Sequence, residues 1–160
     1  MNKVTKNKGF TLIEILVVIG IIAILAAIVI VAINPARQFA QARNTQRESD
    51  ISTILNAIGQ KSVDCKGVFD ASLATCPTSP ACPTVTTVKN ISSGGAGTTY
   101  DLVCLVPTYI ASAMPFDPDG GSLTDTLYTI EAVANGRYKV CAPKHLEAAI
   151  TGSAAYCLTR

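Results

Sequence analysis

The sequence predicts an α+β protein in which one long N-terminal helix packs on a small antiparallel β-sheet head. Three observations carry this. Ile15 to Ile33 is an uncharged apolar run. Apolar residues then recur at helical spacing at Ile51, Ile54, Leu55 and Ile58. Alternating apolar runs finally flank Asn135-Gly136, a strong short-range hairpin signal. With 49% apolar and 15% charged residues in 160, the chain has enough apolar material for a core.

Charge divides the chain further. Residues 1–9 hold Lys3, Lys6 and Lys8 and no acid; residues 10–60 balance Arg37, Arg43 and Arg47 against Glu14, Glu48 and Asp50. Residues 61–160 carry seven basic and eight acidic side chains, or −1, and all six cysteines. The organisation read from this is a leader at 1–9, a helix at 10–60 and a globular head at 61–160. Within the helix, 10–33 is apolar and 34–60 amphipathic.

The run from Ile15 to Ile33 is 19 residues long, with Gly20 its only interruption. As a helix it spans roughly 28 Å, about the hydrocarbon thickness of a bilayer. Its apolar residues go all the way round, which predicts a membrane span. The lysines before it predict a cytoplasmic N-terminus and a head on the other side. A cleaved secretory signal is the alternative, with Ala40-Gln41-Ala42 as its cleavage site. The run exceeds the 7–15 residues of such an apolar core, and Glu14 interrupts its start.

An acid near the start of a membrane helix needs a reason, since a carboxylate at the bilayer centre costs roughly 2.5–3.5 kcal/mol. One reason is local: an acid at a helix N-terminus is favoured by the macrodipole. Another follows if the chain is cut after Gly9, because the new α-amine of Phe10 then lies four residues before Glu14.

Lys8-Gly9-Phe10-Thr11-Leu12-Ile13-Glu14, leading into the apolar run, closely resembles the class III signal of type IV pilins and type II secretion pseudopilins. The resemblance covers residues 1–60 closely and the rest in outline. It implies a pilin fold, cleavage after Gly9 by a membrane prepilin peptidase, and methylation of Phe10. It also implies that Glu14 neutralises the N-terminal amine of an adjacent subunit during assembly. The implied partners are identical or related pilin subunits, the peptidase, a membrane assembly platform and a cytoplasmic ATPase. The implied location is the inner membrane, crossed once, and then an extracellular or periplasmic filament. A pseudopilin and a minor pilin binding DNA or another ligand are the alternatives. The head's −1 charge disfavours nucleic acid, although Arg137, Lys139 and Lys144 are candidates for a local basic patch.

Beyond the span, Asn34-Pro35 predicts a kink in one helix running from about Phe10 to Ile58, roughly 73 Å long. Gly20 and Pro35 are where the family resemblance lets the stalk loosen. Gln41, Arg43, Asn44, Gln46, Arg47 and Glu48 read as a water-compatible stretch, and Gly59 as the helix stop. Thr75 to Thr99, rich in Thr, Pro, Ser and Gly, reads as a long loop without a core. Asn90-Ile91-Ser92 is a weak glycosylation match. Leu105 to Ala113 holds a helical turn. Strands are expected over Leu127–Ala134, Arg137–Ala142 and Ala154–Thr159.

Six cysteines in an exported domain suggest disulfides, with 15 possible pairings. The favoured set is Cys76–Cys82, Cys141–Cys157 and Cys65–Cys104, each bridge adding roughly 2–4 kcal/mol. Zinc is the rival, disfavoured because no C-x₂-C pair exists and His145 is the lone imidazole. Met114-Pro115-Phe116-Asp117-Pro118-Asp119-Gly120-Gly121 reads first as a tight turn. Its similarity to a turn of major pseudopilins makes Asp117, Asp119 and Asp125 candidate calcium ligands.

Catalytic patterns are missing. No Gly-x-Ser-x-Gly elbow or Walker loop occurs, and Gly94-Gly95-Ala96-Gly97 lacks the lysine that would follow. His145 beside Lys144 and Glu147 reads as solvated surface. The expected role is mechanical, not enzymatic.

Overall fold

The computed structural model describes residues 9–70, 82–95 and 97–160. The chain divides into two compact units between Gln38 and Phe39.

The first unit contains helix α1, Leu12–Ala32, none of whose residues is buried. It ends at Ile33, which is extended at φ −98° and ψ 108°. A second helix, α2, starts at Pro35 and runs to Asp64. The single kinked helix expected from Phe10 to Ile58 is therefore two helices. Proline pushes the residue before it out of helical geometry, and its missing N–H costs nothing at a first helical position. Asn34 completes the restart, its Oδ1 accepting from Arg37 N at 3.2 Å. Gly20 lies inside α1.

In the second unit, α2 buries Ala40, Asn44, Arg47, Ile51, Ile54, Leu55, Ile58 and Lys61. The i, i+3, i+4 spacing makes them one stripe, with Asn44 and Arg47 toward its start, Ile51 to Ile58 at its apolar centre and Lys61 near its end. Gly59 does not stop the helix. The reversal comes at Lys66 and Gly67, both at positive φ, where Gly67 N donates to Ser62 O at 2.7 Å. This is the usual left-handed helix ending, displaced about two turns from Gly59, the residue that composition suggested.

Against the apolar stripe lies a five-stranded sheet: β1 Lys89–Ser92, β2 Tyr100–Asp101, β3 Thr129–Val133, β4 Arg137–Ala142 and β5 Tyr156–Thr159, in the order β2-β1-β3-β4-β5. It is mixed, not purely antiparallel, because β1 and β2 pair in parallel. The hairpin β3–β4 closes through Ala134–Gly136, with Asn135 and Gly136 at φ 65° and 69°. These are the left-handed values that Asn-Gly supplies cheaply.

Ile130, Val140, Ala142 and Tyr128 meet Ile51, Ile54, Leu55 and Ile58 in the core, joined by Leu102, Leu105, Ile110 and Met114. Burying each large aliphatic side chain stabilises the head by about 1.5–3 kcal/mol. The expected loop between Thr75 and Thr99 also contributes. Cys82, Val85 and Ile91 are core residues, and Ile91 sits on β1. A four-residue strand amid Thr, Ser and Gly has too little apolar periodicity to be read in advance. The helical turn comes as a 3₁₀ turn at Val103–Leu105, two residues ahead of its expected start.

Two bridges lie among the described residues. Cys141–Cys157 joins β4 to β5, and Cys82–Cys104 ties the segment before β1 to the 3₁₀ turn. The second replaces both expected pairings, Cys76–Cys82 and Cys65–Cys104. The fold, not the short spacing, brings Cys82 to Cys104 within the core. Cys65 is bridged too; Cys76 lies outside the described residues. Asn90 of the sequon donates through Nδ2 to both oxygens of Asp125, and Ser92 is fully buried, so that nitrogen is already engaged.

Candidate processing and assembly site

Gly9 and Phe10 have irregular backbone and precede α1. Phe10 is 80% exposed, and a side chain added at Gly9 would meet nothing within 4 Å. Among the described residues, the backbone at this pair is exposed and non-helical. Thr11 then caps the helix. Its Oγ1 accepts from Glu14 N at 3.3 Å while a Glu14 carboxylate oxygen accepts from Thr11 N at 3.3 Å. This reciprocal pair satisfies two N–H groups that a helix start otherwise leaves open. Glu14 therefore has a local structural task, separate from any contact with an amine. The span that follows has 21 residues in α1 and is long and apolar enough to cross a membrane.

A second cluster lies in the head, and the sequence concealed it. Arg47 is fully buried, not water-exposed as its polar neighbours suggested. Nε and Nη2 donate to the two oxygens of buried Asp117 at 2.8 and 3.0 Å. Nη1 donates to Asn44 Oδ1 at 2.8 Å and Glu147 Oε1 at 2.6 Å. Arg43, one turn earlier, forks onto Glu147 at 2.8 and 2.7 Å. Helix α2 thereby holds two distant loops, 117–121 and 143–147, through planar bidentate pairs that only guanidinium groups provide.

Hydrogen bonds from Arg43, and then Arg47, hold the Glu147 carboxyl at about 2, below its ordinary 4.5. Nearby, Asp50 accepts from Tyr128 Oη at 2.7 Å and Gln46 Nε2 at 2.7 Å. Burial nevertheless raises its carboxyl above the ordinary range. The two acids act with opposite sign. Glu147 contributes stability above its unfolded value, lost as pH falls from about 4.5 toward 2, whereas Asp50 gains from acidification. Glu147→Gln is expected to flatten the acid limb of urea-midpoint measurements between about pH 5 and 2.5. An unchanged limb would show that Glu147 is not held this way.

The candidate calcium ligands are placed apart in role. Asp117 holds Arg47 and accepts from Asp119 N at 2.8 Å, and Asp125 holds Asn90 and accepts from Leu127 N at 3.0 Å. Asp119 is exposed beside Lys144, 3.5 Å away. Among the described residues, no group of three His, Cys, Asp or Glu side chains is placed to hold a metal. The turn itself is tight. A Cβ at Gly121 would come within 2.5 Å of Asp117 N and 2.6 Å of Asp117 O, so only glycine fits. His145 is not loose surface either: its ring stacks on Tyr156 at 5.4 Å, and Nε2 lies 3.2 Å from Glu48. Of the basic residues considered for DNA, Lys139 lies 3.5 Å from Glu131 and Lys144 is paired as above.

Residues 4–30 match the family model of the prokaryotic N-terminal methylation motif, the class III signal peptide of type IV pilins and pseudopilins. No curated protein and no solved structure matches the chain.

Proposed function

We propose that this chain is a structural subunit of a type IV pilus-like filament, made as a precursor, cut between Gly9 and Phe10, and methylated at Phe10. The observation that carries the reading is a coincidence in one segment. The methylation motif at 4–30 overlays an apolar helix that buries no residue within its own chain. Such a surface is satisfied first by lipid and then by the same helix of neighbouring subunits, so it stays out of water throughout. The three lysines of the leader stay in the cytoplasm, and the head is carried across. A subunit of a short secretion pseudopilus uses the same segment and is the alternative.

The test is intact and N-terminal mass spectrometry of this chain in the fraction sheared from cells. The expected form starts at methylated Phe10 and is abundant there. A processed chain that stays with the cells supports the pseudopilus. A chain retaining Met1–Gly9 everywhere overturns the proposal.

A further inference from the structure

The two bridges among the described residues differ in kind. Cys82 and Cys104 are 5% and 3% exposed and belong to the core. Cys141 and Cys157 face away from it. On β4, Val140 and Ala142 point to the core, so Cys141 between them points outward with Lys139. On β5, Leu158 packs against the core and Cys157 is exposed. Thr129 and Glu131 of β3 stand opposite Cys141 and Lys139 and extend the same polar face.

The register sharpens this. Cys141 and Cys157 are direct cross-strand partners. Tyr138 and Arg160 exchange both backbone hydrogen bonds, at 2.8 and 3.0 Å. Counting back by the antiparallel alternation, Val140–Leu158 and Ala142–Tyr156 are hydrogen-bonded pairs, and Cys141–Cys157 is the open pair between them. The bridge therefore crosses a ladder already held on both sides. Removing it leaves no apolar cavity and no broken backbone pair.

We propose that Cys157 Sγ is a site of thiol–disulfide exchange with a dithiol, enzymatic or small, reaching the open face of the sheet. A thiolate of the dithiol attacks Cys157 Sγ. The Cys141–Cys157 bond breaks, and its electron pair leaves on Cys141 Sγ, which takes up a proton. The second thiol of the dithiol attacks the mixed disulfide and releases Cys157, which is protonated in turn. Two electrons and two protons pass to the head, and the dithiol becomes a disulfide. Cys157 is the attacked sulfur because it is exposed, whereas Cys141 is partly covered. Strand β5, at the edge of the sheet, then keeps its ladder but loses its covalent tether. This inference is independent of the assembly reading.

The test is a dithiothreitol time course on the full chain in detergent, quenched with N-ethylmaleimide and read by peptide mass spectrometry. Cys141 and Cys157 are expected to be labelled at least about tenfold faster than Cys82 and Cys104, since access governs exchange. Trapping with a glutathione thiol is expected to place the adduct on Cys157. Equal or slower labelling, or an adduct on Cys141, overturns the proposal. In a Cys141→Ser/Cys157→Ser chain, circular dichroism is expected to stay native; collapse of the head would equally overturn it.

Discussion

Filaments sheared from cells carrying Glu14→Gln are expected to contain at least about tenfold less of this chain, a loss equivalent to about 1.4 kcal/mol per subunit contact. Cleavage after Gly9 and retention in the membrane are expected to be normal. Glutamine at the third helical position completes a capping box as glutamate does, so the Thr11 pairing is kept. Only the charge is removed. Glu14→Ala removes cap and charge together, and the comparison separates the two tasks. If glutamine and alanine fail alike, the charge acts through assembly, as expected for a carboxylate meeting an amine in an apolar bundle. If glutamine assembles normally and alanine does not, Glu14 is only a cap.

Arg47→Met is expected to destabilise the head by about 3–5 kcal/mol, because it leaves the Asp117 carboxylate buried without its cation. Asp117 cannot turn to water: its side chain is fully buried, and its Oδ1 also accepts from Asp119 N. Thermal unfolding of the full chain in detergent, followed by circular dichroism, measures the loss. Adding Asp117→Asn keeps that acceptor and removes the stranded charge. The double variant is expected to recover at least about 1 kcal/mol, a coupling typical of residues in direct contact. A loss below about 1 kcal/mol in the single variant would mean that water reaches the seam.

The parts that could be read in advance share one property: their signal is local. A capped apolar run, an Asn-Gly turn between alternating strands and a pair of cysteines on neighbouring strands each declare themselves within a few residues. Thus α1 sits on the apolar run, the β3–β4 hairpin on the Asn-Gly signal, and the Cys141–Cys157 bridge across the neighbouring strands expected there. The motif around Gly9, Phe10 and Glu14 is legible for the same reason. The capping role of Glu14 is written there too, as Thr11 followed three residues later by an acid, and it adds a hydrogen-bonded partner to the macrodipole role expected at a helix start.

What the linear pattern concealed depends on partners far away along the chain. Arg47 looks like a solvated helix residue until Asp117, 70 positions on, supplies the buried acid that satisfies it. Cys82 finds Cys104 because β1 and the 3₁₀ turn converge, not because the spacing favours it. Strand β1 is four residues in a stretch of turn composition, and becomes a strand only because β3 offers a ladder and the core takes Ile91. The sequence by itself determined the membrane-length helix, the N-terminal methylation motif and the α+β class, since these follow from short-range composition, periodicity and turn chemistry. Tertiary structure alone decided which charges are buried, which cysteines meet and where the helix ends. In each case the stabilising partner is chosen by packing across the fold, where neighbours in sequence carry no information.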